Sequence, residues 1–352
     1  MSHLDLLLPF ALPPTEIAPD LLKELDMPAL AHLLSRTRPE SDGPRVMMFD
    51  GYARALPHEA WLAGTFGLAG DRRDSSPPVA SAWMRVFGHE ADAGCWFVVQ
   101  PVHIHIARDH LVLTDTRALT LSETDARTLF DIAREVFAEA GKTLMWGNAS
   151  AWFLRADDWA ELSTATPDAA TGHNVDIWMP HGPCERDWRK LQNEVQMLWF
   201  AHDINQRREA AGERMVNSIW LWGAATPRQD LATAPYTHAF NLQGWTEALR
   251  LAVKSTGTAS DARQVLVQGE KTLVLLDDLL APALANDWGT WLSVLQQFED
   301  AWFTPLLEAL RAGHLDSVRV LAGDAARLAR FSATRGSLRK FWIKPALSPL
   351  LT

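Results

Sequence analysis

Cysteine and tyrosine are scarce in this chain, and long apolar runs are missing from it. The 352 residues include two cysteines, Cys95 and Cys184, and two tyrosines. Two cysteines cannot build a disulfide framework and offer no zinc-ligand spacing. We therefore expect two reduced thiols in a cytoplasmic protein. No stretch approaches the roughly 20 apolar residues that cross a bilayer, so we expect no membrane partner.

Basic residues are outnumbered by acidic ones, and the common catalytic motifs are missing. The chain has 33 Lys and Arg against 43 Asp and Glu, a formal net charge of −10. Nucleic-acid binding depends on Lys and Arg that neutralise phosphates, so we expect no nucleic-acid partner. The sequence contains no glycine-rich phosphate loop, no G-x-S-x-G elbow and no Cys–His nucleophile pair. Because these motifs are absent, no residue can be assigned a catalytic role from them.

Strand and helix patterns alternate along the chain, with buried β runs near both ends. One such run is His3–Pro9, and another is Ser317–Leu321. This alternation predicts one α/β core. Between its parts lies a block with hairpin and helix patterns. We therefore predict an α/β core over residues 1–80 and 225–352, and an inserted α+β subdomain over residues 81–224.

Three long helices and a further strand can be read from local patterns. The stripe of apolar residues predicts a helix over Leu121–Ala140 with Ser122 as its N-cap. The same periodicity predicts long helices over Asp187–Ala211 and Trp288–Arg311, the latter with a kink at Pro305. An apolar run predicts a buried strand over Arg263–Val267.

Amide, charged and indole side chains are concentrated between Leu191 and Gly223. The polar cluster comprises Asn193, Glu194, His202, Asn205, Arg208, Asn217, Trp220 and Trp222. Helical spacing brings Asn205 and Arg208 close to His202. Such donors suit an anion, so one interpretation is a site for a small phosphorylated or carboxylated metabolite. The other interpretation is structural: a polar helix end that fixes the next loop, with indoles bonded to neighbouring groups.

Acidic residues follow two of the predicted buried strands. Asp277 and Asp278 come after one strand, and Asp324 comes after another. Proteins of the α/β class often place functional carboxylates at strand ends, and oxygen ligands suit divalent cations. Loop solvation and capping are the alternative. His103 and His105 share one face of a strand, but they lack a third ligand, so we expect a solvent-facing pair.

Two runs within the polar cluster resemble a known family. His202-Asp-Ile-Asn205, Arg208, Gly212 and Asn217-Ser-Ile-Trp-Leu-Trp-Gly223 resemble the HPVN…R…G…AN-x-IWLWG signature of archaeal-type, cofactor-independent phosphoglycerate mutases. Asn193–Phe200 and Val216–Gly223 are similar to the NEIQMLLH and VNSLWLWG runs of RpfE-type regulatory proteins. The resemblance covers most of the chain and is strongest over residues 95–225.

The resemblance implies an alkaline-phosphatase-like fold, and it also identifies the ligands that this chain lacks. In the mutases, two metals are held by a strand-end Asp, a nucleophilic Ser, a later Asp and His group, and an Asp-His pair. After the first strand this chain has Leu8-Pro9-Phe10 instead of Asp-Gly. No histidine follows Asp277-Asp278 or Asp324, and no nucleophile can be assigned among Ser75, Ser76 and Ser81. The loss of several ligands should abolish metal binding.

The sequence therefore predicts a degenerate alkaline-phosphatase-like α/β core with an inserted α+β subdomain. It predicts a non-catalytic regulatory or ligand-sensing protein, without catalytic residues, metal or cofactor. The alternative is an active phosphoglycerate mutase or phosphohydrolase that binds manganese or zinc through rearranged ligands, drawn from Asp277, Asp278, Asp324, His103 and His105. A third interpretation is a scaffold that binds a protein partner through the basic segment Arg327–Lys344 or through an exposed patch of tryptophans.

Overall fold

The computed structural model describes residues 2–39, 44–68, 74–91, 93–108, 110–227, 231, 234–266 and 270–351. The chain divides into two compact units. Unit 1 comprises Met1–Gly51, Pro57–Gly67 and Ala232–Thr352. Unit 2 comprises Tyr52–Leu56 and Leu68–Leu231, so it interrupts the sequence of unit 1.

The strands of the described residues are numbered in chain order. They are β1 His3–Leu8, β2 Val46–Met48, β3 Trp96–Val102, β4 Ile104–Ala107, β5 His110–Leu113, β6 Thr143–Asn148, β7 Ala151–Arg155, β8 Ser218–Ala225, β9 His238–Phe240, β10 Ser255–Gly257, β11 Lys271–Leu275, β12 Ser317–Gly323 and β13 Arg327–Thr334.

The α-helices follow the same convention. They are α1 Ala18–Leu21, α2 Pro28–Ser35, α3 Pro57–Thr65, α4 Ala80–Val86, α5 Glu123–Glu139, α6 Pro167–Ala170, α7 Val175–Trp178, α8 Glu185–Phe200, α9 Asp203–Ala210, α10 Ala262–Leu266, α11 Leu280–Leu284, α12 Trp288–Phe298 and α13 Thr304–Ala312. Short 3₁₀ helices span Thr116–Ala118, Asp157–Trp159, Gly244–Ala252, Ser337–Arg339 and Ser348–Leu351, and a π-helical segment spans Glu299–Phe303. Within the described residues, no helix is both long enough and apolar enough to cross a bilayer.

A mixed sheet forms the centre of unit 1. Its strand order over the described residues is β10-β9-β11-β1-β12-β13-β2. The first five strands in that order run parallel, whereas β13 and β2 are antiparallel to their neighbours. The central strand β1 reads His-Leu-Asp-Leu-Leu-Leu and is buried from Leu4 to Leu8. An almost continuous apolar run is typical of a parallel strand that is covered on both faces.

Helices α2, α12 and α13 share a hydrophobic core with this sheet. The predicted long helix over Trp288–Arg311 is interrupted by the π-helical segment. Within that segment the buried carboxylate of Glu299 accepts hydrogen bonds from the backbone N–H groups of Ala29 and Leu30. Those groups lie in the first turn of α2, where helical N–H groups lack partners within the helix. The interruption thus coincides with the residue that caps α2.

Unit 2 contains an antiparallel sheet in the order β6-β7-β3-β8 and a separate β4–β5 hairpin. Helices α5 and α8 pack on this sheet around a core rich in tryptophan. The predicted helix over Leu121–Ala140 is confirmed as α5. Its N-cap is Ser122, whose hydroxyl accepts a hydrogen bond from Asp125 N. Gly141 follows the helix in a left-handed conformation.

Two of the predicted elements are wrong. The helix predicted over Asp187–Ala211 is two helices, α8 and α9, because the chain turns at His202. There the imidazole Nδ1 of His202 accepts from Ile204 N and begins α9. The strand predicted over Arg263–Val267 is helical over Ala262–Leu266, and Val267 lies outside the described residues. Asp261 accepts a hydrogen bond from Arg263 N at 2.7 Å, an interaction that favours a helix start.

Candidate functional site

A cleft of about 610 Å³ opens in unit 1 beside the carboxyl ends of three parallel strands. Asn241 follows β9, Thr258 follows β10, and Leu276 with Asp277 follows β11. In open α/β sheets, ligands bind outside the carboxyl ends of the strands. The location and volume of the cleft are therefore those of a small-molecule site. The sequence pattern placed Asp277 and Asp278 after a strand, and both line this cleft.

The carboxylate of Asp277 is oriented by an amide from another loop. Gln243 Nε2 donates to Asp277 Oδ1 and Oδ2 at 2.8 and 2.7 Å. Gln243 is itself fixed, because it caps the 3₁₀ helix Gly244–Ala252 through reciprocal hydrogen bonds with Thr246. Sequence reasoning did not identify Gln243, since its partner lies 34 residues away along the chain. The side of the cleft formed by Asp277 and Gln243 is therefore held in place before any ligand binds.

A second amide, that of Asn241, joins the ends of β9 and β10. Asn241, at φ 62°, donates to Ala259 O at 2.9 Å and accepts from Ala259 N at 2.7 Å. Beyond it, Gln264 accepts from Ser260 N and donates to the hydroxyl of Ser260. These contacts link the loops after β9 and β10, so the polar wall is preorganised.

The residues at the strand ends do not fit the two-metal site that the mutase resemblance implies. Asp324 Oδ2 accepts from Arg327 Nε at 2.7 Å, and its Oδ1 accepts from the backbone N–H groups of Ala326 and Arg327. Asp324 does not line the cleft. Because β1 lies between β11 and β12, the ends of those two strands are separated by two strand spacings, roughly 10 Å.

The end of β1 offers no metal ligand. The chain there reads Leu8-Pro9-Phe10, and Phe10 adopts a φ of 57° while its carbonyl accepts from Trp291 Nε1 at 2.8 Å. Among the described residues, no group of three or more His, Cys, Asp or Glu side chains is arranged to hold a metal ion. The donor set around the strand ends therefore differs from that of a dinuclear centre.

His103 and His105 belong to unit 2, and their rings stack with centroids 6.2 Å apart. His105 is exposed, as predicted, whereas His103 is half-buried and its Nδ1 lies 2.8 Å from Met215 O. Burial lowers the pKa of His103. The pair therefore consists of one exposed ring and one ring that contacts the backbone.

Asn205, in the polar cluster of unit 2, is buried and its side-chain amide bonds to two separate backbone segments. Its Nδ2 donates to Trp199 O at 2.9 Å and to Val216 O at 2.8 Å, while its Oδ1 accepts from Val216 N at 2.8 Å. These bonds tie the end of α8 to the residues that precede β8. The amide has its partners within the protein, which is the usual condition for a buried polar side chain.

Arg208 and Asn217 also bond to the backbone. Arg208 is buried, donates to Arg214 O at 2.7 Å and pairs with Glu213 at 3.1 Å. Asn217 forms two hydrogen bonds with the backbone of Ile104, donating to its carbonyl and accepting from its N–H. Both side chains thus hold the segment that leads into β8.

The two indoles of the cluster are buried on β8. Trp220 Nε1 donates to Ala165 O at 2.8 Å, and Trp222 Nε1 donates to Gln100 Oε1 at 2.7 Å. Asn193 is exposed and Glu194 is half-buried on α8. The contacts of the buried members correspond to the structural interpretation of the cluster, in which its polar groups lock β8 to its surroundings.

Gly223 ends the Asn217–Gly223 run in a tightly packed position. Its φ is 72°, and a Cβ added there would lie 3.0 Å from Val79 Cγ2 and 3.2 Å from Val98 Cγ2. Its N–H donates to the hydroxyl of Ser76, which also lies 2.8 Å from Thr164 Oγ1. Ser76, one of the three serines in the region where the mutases have their nucleophile, therefore lies in this packing contact.

Comparison with known proteins gives local sequence similarity to phosphoglycerate mutases. No family model matches the chain. It is 28% identical over 105 residues to the 2,3-bisphosphoglycerate-independent phosphoglycerate mutase 2 of Methanothermobacter thermautotrophicus, covering 29% of this chain and 25% of that protein. It is 27% identical over 120 residues to the corresponding mutase of Methanosarcina mazei, covering 34% of this chain and 27% of that protein. The chain thus aligns with about a quarter of the length of the curated relatives that it matches.

Two solved structures are similar to this chain over most of its length. The PH0037 protein from Pyrococcus horikoshii superimposes with a TM-score of 0.51 and 11% identity, covering 96% of this chain and 92% of that one. A cofactor-independent phosphoglycerate mutase from Thermoplasma acidophilum gives a TM-score of 0.44 and 14% identity, covering 99% and 94%. The predicted α/β fold is confirmed, and the PH0037 protein shares it.

Proposed function

We propose that this protein is a non-catalytic regulatory or ligand-sensing protein of the RpfE type, built on a phosphoglycerate mutase-like scaffold. The observation that carries the proposal is the chemistry of three neighbouring strand ends. After β1 the chain is apolar, after β11 Asp277 is bound by Gln243, and after β12 Asp324 is bound by Arg327. Each of these three strand ends is apolar or carries a carboxylate that is engaged with another side chain.

The Arg327 guanidinium supports this proposal most directly. It lies 2.6 Å from Asp324 Oδ2, in a pair whose side chains are mostly buried. Arginine stays protonated at any physiological pH, so it would compete with a divalent cation for this carboxylate. The two backbone N–H groups on Oδ1 add to that competition. A metal at Asp324 would have to displace at least one of these donors.

The cleft of unit 1 is the place where we expect a regulatory ligand to bind. Its walls are formed by fixed loops at strand ends, and its volume lies in the range of small-molecule sites. The sequence alone suggested a phosphorylated or carboxylated metabolite near Arg208. Because Arg208 already contacts Glu213 and Arg214, we place the ligand in the cleft.

An active phosphoglycerate mutase or phosphohydrolase with rearranged ligands is the second candidate. The observation in its favour is that Asp277 and Asp278 line the cleft together. That function would require manganese or zinc to recruit Asp324 as well, and therefore to break its pair with Arg327. The two candidates make opposite predictions about turnover.

Turnover of 3-phosphoglycerate tests the proposal. The full-length protein would be assayed with added manganese or zinc, with a chelator-treated sample as its blank and the Methanosarcina mazei mutase as positive control. We expect the rate to equal the blank. Metal-dependent turnover that disappears in Asp277→Ala or Asp324→Ala would establish the second candidate. A rate that survives both substitutions would indicate a contaminating mutase.

A further inference from the structure

The last part of this acidic chain is basic. From Ala325 to Thr352 the sequence has six Lys or Arg and no Asp or Glu, whereas the whole chain has a formal net charge of −10. Such an asymmetry is typical of a segment that meets an anionic partner. Arg335, Arg339 and Lys344 are exposed, and within the described residues none of them forms an ion pair. Their charges are therefore available to a partner.

Two aromatic side chains project from the same segment. Phe341 is 81% exposed and Trp342 is 71% exposed. Their rings contact each other edge to face, with centroids 5.3 Å apart and planes at 82°. Every tryptophan of the chain lies within the described residues, and Trp342 alone is exposed. The exposed aromatic surface is thus a Phe–Trp pair and not a patch of tryptophans.

Hydrogen bonds to the end of α2 hold this segment in place. Arg36 donates through Nη1 to Leu338 O at 3.1 Å and through Nε to Ile343 O at 3.2 Å. Lys340 Nζ donates to Thr37 O at 2.7 Å. These acceptors are backbone carbonyls without formal charge, so Arg36 and Lys340 add positive charge next to the aromatic pair.

The charges and the rings lie close together. Arg339 and Phe341 are two residues apart along the chain, as are Trp342 and Lys344, so the Cα atoms of each pair are at most about 7 Å apart. This separation is shorter than the Debye length of about 8 Å at physiological salt. A partner that contacts the rings therefore also meets the charges. We call Arg339, Lys340, Phe341, Trp342 and Lys344 the aromatic-basic surface.

An anionic lipid bilayer complements both properties of the aromatic-basic surface. Trp and Phe rings insert at the level of the lipid headgroups, and neighbouring Lys and Arg are attracted to anionic lipids. A fluid bilayer accepts projecting rings without a matching pocket. Single-stranded nucleic acid instead requires open ring faces on which bases stack. The edge-to-face contact between Phe341 and Trp342 covers one such face, so the geometry favours the bilayer.

We propose that the aromatic-basic surface attaches this protein to an anionic bilayer, with the rings of Phe341 and Trp342 inserted among the headgroups. The sequence predicted no membrane partner because no apolar run could span a bilayer, but attachment to its surface needs no such run. The inference goes beyond the proposed function and does not depend on it, since no residue of this surface lines the cleft.

Sedimentation with sucrose-loaded vesicles tests this inference on the full-length protein. One set of vesicles contains phosphatidylcholine alone, and the other also contains the anionic lipid phosphatidylglycerol. We expect the protein to bind the anionic vesicles at least about tenfold more tightly than the neutral ones. High salt should remove most of this difference, because it screens exposed charges.

A double substitution of the rings connects the signal to this surface. Phe341→Ala combined with Trp342→Ala removes exposed side chains, so the variant should fold normally, which circular dichroism would verify. We expect it to bind anionic vesicles at least about tenfold more weakly, because buried apolar area contributes to interfacial binding. Met197→Ala combined with Phe200→Ala, at exposed positions on α8, is the matched control and should leave the binding unchanged.

A second variant tests the charges and leaves both rings in place. Arg339→Gln combined with Lys344→Gln should weaken binding to anionic vesicles by about tenfold or more, at roughly fivefold for each charge. Arg189→Gln combined with Lys190→Gln removes the same charge from exposed positions on α8 and should have no effect. The charge variant also keeps the inference testable if the ring variant fails to fold.

Several results would overturn the inference. They are equal binding to neutral and anionic vesicles, the absence of binding to either, or binding that both the ring variant and the charge variant retain. A fluorescent oligothymidylate and a poly-glutamate peptide serve as competing probes. If either probe binds through the aromatic-basic surface while the vesicles do not bind, the surface belongs to a nucleic-acid or protein partner and the inference is wrong.

Discussion

Arg327 holds the carboxylate of Asp324 at the carboxyl end of β12, with its Nε and Nη2 atoms 2.7 and 2.6 Å from Asp324 Oδ2. The exposed fractions of the two side chains are 12% and 17%, so the pair is largely shielded from water. An arginine in this position changes the role of the strand-end carboxylate. It becomes an anchor for the turn between β12 and β13 instead of a free ligand.

Removal of this arginine should destabilise unit 1. We expect Arg327→Ala to lower the free energy of unfolding by about 1–3 kcal/mol, because it leaves a half-buried carboxylate without its charged donor. Urea denaturation followed by circular dichroism would measure the change. Arg311→Ala, at an exposed position on α13, is the matched control and should alter stability by less than about 0.5 kcal/mol. Equal effects of the two substitutions would contradict the anchoring role.

Asn205 should prove structural. Asn205→Ala would remove three hydrogen bonds and leave backbone groups of Trp199 and Val216 without their partner in a buried site. We expect a loss of about 2–4 kcal/mol in unfolding free energy. Asn193→Ala, at an exposed position on α8, should cost less than about 0.5 kcal/mol. If thermal denaturation ranked Asn193→Ala as the more damaging change, the locking role of Asn205 would be wrong.

Gly223 and Gly212 form a matched pair for a packing experiment. Both have a φ of 72°, but only Gly223 has neighbours within 4 Å of an added Cβ. Gly212→Ala should therefore cost only the backbone penalty, about 1–2 kcal/mol. Gly223→Ala should cost about 1 kcal/mol more, because Val79 and Val98 must shift. Comparable melting temperatures of the two variants would show that the close approach at Gly223 is not tight.

The two cysteines should differ in reactivity. Burial raises the pKa of Cys95 to about 11, and Asp157 contributes to the same shift. The thiolate is the reactive form, so Cys95 should resist alkylation at neutral pH while half-buried Cys184 reacts. Iodoacetamide labelling of the native protein, read by mass spectrometry, should modify one site per chain. Labelling that persists in Cys184→Ser would contradict this assignment.

The Cys95 shift also has a consequence for stability. A thiol whose folded pKa is raised contributes stability that is complete below its unfolded pKa. That contribution is lost as the pH rises through the folded value of about 11. Cys95→Ala should therefore flatten the stability profile between pH 9 and 11, the interval between the ordinary pKa of the thiol and its folded pKa. A profile unchanged in this interval would show that the thiol titrates normally.

Local patterns predicted those parts of the fold that depend on local interactions. Ser122 and the apolar stripe of α5 identified that helix because a cap and a periodic face are both encoded within a few turns. The break at His202 was missed because histidine is an unusual N-cap. The run Arg263–Val267 was misassigned because a short apolar segment fits a strand as well as a buried helix.

The candidate site was predictable only in part, since its contacts join distant segments. The pattern of a buried run followed by Asp277-Asp278 placed two carboxylates at a strand end, and both line the cleft. Gln243 gave no comparable signal, because an amide has no distinctive neighbours in the sequence and its role comes from Asp277, 34 residues away. The ion pair between Asp324 and Arg327 could not be predicted from sequence either, although Arg327 lies only three residues further along the chain.

The metal content of the purified protein, measured by elemental analysis, tests most directly our proposal that this chain holds no dinuclear metal centre. We expect manganese and zinc far below one atom per chain, with the same values in Asp277→Ala and Asp324→Ala. Two tightly bound metal atoms per chain, lost in either variant, would contradict it.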